Sequence, residues 1–182
     1  ELPVVDMAIS ELKLKKIIMG SKKRDRRLEP GEYEALMNGA GGHWISAAID
    51  IALESAMRQG EIHALKWSDI NESKGVIRLK RKDKDAETGQ SEQKIPMVQG
   101  VREALLRAHN VFGQGPHLIP VKRSASISDK FARLTKKLGI VDLRFHDLRH
   151  EAISRMFERG MRVEQVRVVS GCKVVSYFLC RE

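Results

Sequence analysis

The run Leu143-Arg144-Phe145-His146-Asp147-Leu148-Arg149-His150-Glu151-Ala152-Ile153-Ser154 sets a histidine and an arginine three residues apart. At that spacing His146 and Arg149 share one face of a helix. Leu148, Ala152, Ile153, Met156 and Phe157 supply its buried side. A planar guanidinium matches phosphate oxygens, and an imidazole donates a hydrogen bond or moves a proton near neutral pH. An earlier run, Ala52-Leu53-Glu54-Ser55-Ala56-Met57-Arg58-Gln59-Gly60-Glu61-Ile62, puts Arg58 where a long apolar helix gives way to a glycine turn. Its guanidinium then projects from a fixed scaffold, and Glu61 is placed to orient it. Taken alone, Arg58 and Glu61 read as an ordinary interhelical ion pair, and a helical histidine as structural. Two such runs on one chain, with a lysine-rich segment between them, point instead to a site that grips phosphate.

The elements that must position these side chains are mostly helical. Apolar residues at helical spacing predict helices over 29–39, 44–57, 60–65, 101–109, 128–138, 147–159 and 163–169. Gly75-Val76-Ile77-Arg78-Leu79-Lys80 alternates like a strand, and Gln93-Lys94-Ile95-Pro96-Met97 offers a second after a polar turn. The pair makes a small hairpin with a basic tip. The expected fold class is therefore α+β, mainly helical, with a small antiparallel sheet.

Charge and composition narrow the partners. The 182 residues carry a formal net charge of +9, with 42% hydrophobic and 31% charged residues, which fits one globular domain facing a polyanion. Eight cations between Lys13 and Arg27 crowd residues 1–28, which read as a basic arm or interdomain linker ahead of a domain over 29–182. No apolar run approaches the roughly 20 residues of a spanning helix. The opening residues lack the basic end and apolar core of a signal peptide, so the expectation is a cytoplasmic, reducing setting. Cys172 and Cys180 match no common zinc spacing and read as free thiols. The sequence has no G-x-x-x-x-G-K-[ST] phosphate loop and no evident carboxylate cluster for a metal, so no cofactor is expected.

Ser55-Ala56-Met57-Arg58-x-x-Glu61-x-x-x-Leu65-x-Trp67-x-Asp69-Ile70 and His146-x-Leu148-Arg149-His150 resemble the two arginine boxes of tyrosine recombinases of the phage-integrase type. The resemblance runs from about Arg27 to the end. It implies the catalytic-domain fold of that family and double-stranded DNA as partner, with tetramers on paired sites. It also implies site-specific recombination or integration through a 3′-phosphotyrosine. Arg58 and Arg149 would hold the non-bridging oxygens of the scissile phosphate, with His146 adding a hydrogen bond or a proton. A hairpin lysine would protonate the leaving 5′-oxygen, and spacing from Gly75 selects Lys82, with Lys80 and Lys84 as register alternatives. Glu61 would support Arg58, and His150 would play a supporting part.

The third box departs from the family pattern. Cys172 stands where relatives have histidine, and Arg181 stands nine residues on, where they have the nucleophilic tyrosine. Of the two tyrosines, Tyr33 reads as a packing residue, which leaves Tyr177, four residues before Arg181, as the candidate nucleophile. That offset is one helical turn, roughly 6 Å. Two rival readings follow: a non-cleaving DNA-binding relic of the family, and a nicking-closing topoisomerase of the same chemistry.

Overall fold

The computed structural model describes residues 26–80, 92–113 and 115–171. Its elements are α1 (Glu32–Ala40), α2 (Trp44–Ser55), α3 (Gln59–Ala64), a 3-10 turn (Trp67–Asp69), β1 (Ile70–Asn71), β2 (Val76–Lys80), β3 (Glu92–Pro96), α4 (Gln99–Phe112), α5 (Ala125–Leu138), α6 (Asp147–Glu158) and α7 (Val163–Ser170). Helices dominate, and the one sheet is a small antiparallel set in the order β1-β2-β3.

α2 is the hub. It is apolar on nearly every side, with Ile45, Ala48, Ile49, Ile51 and Ala52 almost wholly buried. A helix of that kind needs neighbours all round. Accordingly, α2 packs against α1, α3, α4, α5 and α6. Buried within it, Asp50 accepts the Tyr33 hydroxyl at 2.8 Å and Arg107 Nη2 at 2.9 Å, tying α1 and α4 to the hub.

The periodicity carried α2 to Met57, but the helix stops at Ser55 because Ala56 turns into the left-handed region at φ 53. Alanine pays roughly 1–2 kcal/mol for that conformation, so the surrounding packing must hold it. Ala56 is fully buried in a smaller apolar cluster with Ala152, Ile153, Met156, Val166 and Val169. The turn redirects the chain just before Arg58.

In the sheet, Ile77 faces Ile95 and Arg78 faces Lys94, so one face is apolar and buried while the other carries cations. The two-residue strand β1 was not expected from the sequence. It extends the hairpin by pairing Ile70 with Ile77 and Asn71 with Val76. Phe131 of α5 meets Phe145 edge to face, with centroids 5.5 Å apart, and pins the approach to α6.

Candidate phosphate-binding active site

Arg58 sits in the bend between α2 and α3. Its backbone N–H donates to Glu61 Oε2 at 2.7 Å and its Nη1 to Glu61 Oε1 at 2.9 Å, so one carboxylate both caps α3 and aims the guanidinium. Glu61 is largely covered, whereas 48% of the Arg58 side chain remains open to solvent. Gln59 fastens the bend from the other side, donating to the Ser124 carbonyl at 2.7 Å at the start of α5.

The second cluster lies at the start of α6. The Asp147 carboxylate accepts the Arg144 N–H at 2.8 Å and closes the turn that leads into the helix. His146 occupies the cap position with its side chain accessible. Arg149, one turn on, is 6% exposed, and its Nη1 donates to the Ala56 carbonyl. That bond joins residues 93 apart in the chain and brings the second arginine to the bend that bears the first. The rings of His146 and His150 meet edge to face at 5.1 Å.

Electrostatics agree with this grouping. The His146 imidazole is held below its ordinary pKa of 6.5, first by desolvation and then by the positive charges of His150 and Arg149. Asp147 opposes the shift, and Arg58 adds to it, which places the Arg58 charge within reach of this ring. Arg58, His146, Arg149 and His150, from two distant segments, therefore act on one place, and among the described residues the carboxylates beside them, Glu61 and Asp147, are already bonded to Arg58 or to backbone. An anion of phosphate size is the natural occupant of such a place.

The structure thus brings together Arg58, Glu61, His146, Arg149 and His150. Lys80 ends β2, exposed, across from Glu92. Lys82 and Lys84 on the hairpin tip, and Cys172, Tyr177 and Arg181 of the third box, lie outside the described residues. Tyr33 is accounted for elsewhere: burial, together with its bond to Asp50, pushes its hydroxyl up to about 12. Among the described residues, no group of three or more His, Cys, Asp or Glu side chains is set to hold a metal. None of the described helices is long and apolar enough to cross a membrane.

Sequence reasoning passed over Ala56 and Gln59, which fix the bend through a carbonyl and an amide. A left-handed alanine has no sequence signature. Gln59 adjoins Arg58, and only its partner on α5 reveals its part.

Residues 26–177 match the family model described as the phage integrase family. The chain belongs to that family. Among curated phage integrase relatives, it is 35% identical over 162 residues to a shufflon-specific DNA recombinase of Escherichia coli, covering 83% of this chain and 38% of that protein. It is also 23% identical over 182 residues to a tyrosine recombinase XerC-like protein of Caldanaerobacter subterraneus, covering 80% of this chain and 46% of the relative. The chain therefore spans less than half the length of these relatives. Solved structures agree in fold. A lambda integrase dimer bound to a COC′ core site superposes with a TM-score of 0.66 at 22% identity, covering 92% of this chain and 68% of that one. The Tn1549 transposon integrase in complex with circular intermediate DNA gives 0.66 at 19% identity, covering 96% and 69%. The mainly helical body with its small sheet is the tyrosine-recombinase catalytic-domain fold.

Proposed function

We propose that this chain is the catalytic part of a site-specific tyrosine recombinase that cuts and rejoins double-stranded DNA. The observation that carries the reading is the meeting of the two arginine boxes: Arg149 hydrogen-bonds the Ala56 carbonyl, two residues before Arg58, and both guanidinium charges act on His146. In this reading Arg58 and Arg149 hold the non-bridging oxygens of one phosphate and stabilise the charge that grows on them. Glu61 holds Arg58 in place. His146, largely neutral in the free protein, donates to the phosphate or relays a proton, and His150 orders the ring of His146.

The nucleophile in this scheme is Tyr177, the last residue included in the family match. Its hydroxyl oxygen attacks phosphorus as its proton passes to water, directly or through His146, the bond to the 5′-oxygen breaks, and Lys82, or its neighbours Lys80 and Lys84, hands a proton to the leaving oxygen. The 3′-phosphotyrosine keeps the energy of the broken link. Attack by a 5′-hydroxyl reverses the step and returns the tyrosine, so the cycle calls for no nucleotide or metal. Solved lambda integrase structures are a dimer on a core site and a tetramer on a Holliday junction. By analogy, this chain self-associates as a tetramer on paired DNA sites, in the cytoplasm of a bacterium and on its nucleoid.

Cys172 and Arg181 at the third box favour a second reading, a DNA-binding module of the same family that does not cut. Nicked suicide duplexes drawn from a random-sequence pool separate the two. The recombinase reading expects a protein–DNA adduct that survives denaturing electrophoresis and disappears in Tyr177→Phe. Retarded DNA on a native gel with no adduct would establish the binding module instead.

A further inference from the structure

Residues 26–28 cross the outside of the helix that carries Arg149 and fasten it at two points. Arg26 reaches the Val141 carbonyl through Nε and Nη2 at 3.4 Å, just ahead of His146, and its guanidinium also pairs with Glu32. Arg27 reaches α6 itself. Its Nε donates to Glu151 Oε2 at 2.9 Å and its Nη2 to Glu151 Oε1 at 3.2 Å, while Nη1 pairs with Glu158. The Leu28 N–H adds a bond to Glu151 Oε2 at 3.2 Å, and Arg155 Nε adds one to Oε1 at 2.7 Å.

Glu151 is therefore a charged side chain only 5% exposed, with both oxygens filled. Burial by itself would lift its pKa, but the hydrogen bonds from Arg27 and Arg155 hold it below the ordinary carboxylate range. A carboxylate this well covered needs such partners to stay charged. Two bonds from one planar fork also fix rotation as well as distance, which a single ammonium cannot do.

Glu151 stands two residues beyond Arg149, so the two side chains leave α6 on different sides. Arg149 seats on Ala56 at the end of α2, and Glu151 seats on Arg27 and Leu28. The helix is held between them. We propose that Glu151 is a positioning residue. Through Arg27 and Leu28 it sets the rotation of α6 and hence where the Arg149 guanidinium meets DNA phosphate, and it makes residues 26–28 the link through which anything joined ahead of them acts on the site. This rests on the reading of Arg149 as a phosphate ligand.

A double-mutant cycle on DNA affinity tests it, using the whole chain and a nicked duplex of about 30 base pairs at about 50 mM salt. Arg149→Ala is expected to weaken binding about tenfold and lower the salt slope by about one. Arg27→Ala should weaken it about threefold, and not at all once Arg149 is already alanine. Arg27→Lys should behave like Arg27→Ala, since the fork is lost. Glu151→Gln gives the sharpest sign: removing a negative charge tightens DNA binding if only long-range electrostatics acts, whereas lost positioning weakens it. Circular dichroism restricts the comparison to folded variants. Arg27, 32% exposed, keeps the cycle usable if Glu151→Gln does not fold. If Arg149→Ala leaves affinity unchanged, the phosphate reading falls and this inference with it. If Arg149→Ala weakens binding but Arg27→Ala costs the same in both backgrounds, or nothing in either, the phosphate reading stands and the positioning role is overturned.

Discussion

His146 is where charge, burial and proton chemistry meet in this site. Its imidazole is destabilised as a cation by desolvation and by the positive charges of His150 and Arg149. The sign of the pH effect follows. In the free protein the folded-state pKa lies below the unfolded value of 6.5, so this group's contribution favours folding above that value and is lost as pH falls through the window beneath it. A phosphate placed against the ring reverses the preference, because an anion stabilises imidazolium. DNA binding then takes up a proton, and affinity is expected to rise as pH falls from about 8 to about 6. Titrations with His146→Gln check this: the pH dependence should flatten, and an unchanged slope would remove His146 from the phosphate. Glu61 supplies a second test at this scale. Its bonds to the Arg58 N–H and guanidinium are largely water-accessible on the Arg58 side, so Glu61→Gln should cost at most about 1 kcal/mol in urea unfolding. It should nevertheless weaken DNA binding, because an unaimed Arg58 must be ordered when phosphate arrives. Tighter binding would mean that Glu61 acts only as a repelling charge.

At the scale of elements, α2 and α6 do the positioning, and the Asp50 contacts that hold α2 are expected to be separable from the phosphate site. Asp50 anchors α2 to α1 and α4 through Tyr33 and Arg107, two partners outside both arginine boxes. Asp50→Ala is expected to destabilise the domain by about 1–3 kcal/mol in urea unfolding, since it strands a tyrosine hydroxyl beside the core, while Arg107 recovers solvent. The salt slope of DNA binding should stay as it was; a lowered slope would mean that the hub and the site are not separable. Phe131→Ala removes the ring that pins Phe145 ahead of His146, and the expected cost is about 3–5 kcal/mol. The helices themselves were legible in the sequence, because an amphipathic stripe such as Ile127, Phe131 and Leu134 has no other reading. The hairpin was legible too, from alternation about Ile77 and Leu79. The end of α2 was not, since the left-handed Ala56 is imposed by packing around a buried methyl rather than by any local preference. β1 escaped notice because two residues carry no period. The motifs singled out Arg58 and Arg149 among the many cations. That Arg149 is buried and Arg58 open was not legible, because burial depends on the bond to a carbonyl 93 residues away.

For the molecule as a whole, the proposed function together with a net charge of +9 and a cation-bearing sheet face predicts that phosphate neutralisation is the main source of DNA affinity. Affinity should therefore fall steeply and linearly on a logarithmic salt scale, and each lost phosphate contact should reduce the slope by about one. A salt-insensitive interaction would show that the basic surface is only a solvated one. The central claim is narrower than that: one phosphate is held jointly by Arg58, His146 and Arg149. A crystal structure of the chain with a nicked duplex tests it most directly. The account predicts a single phosphate at the bend between α2 and α3, its non-bridging oxygens within hydrogen-bonding distance of both guanidinium groups and of the His146 ring. DNA bound on another face, with Arg58, His146 and Arg149 touching no common phosphate, would contradict it.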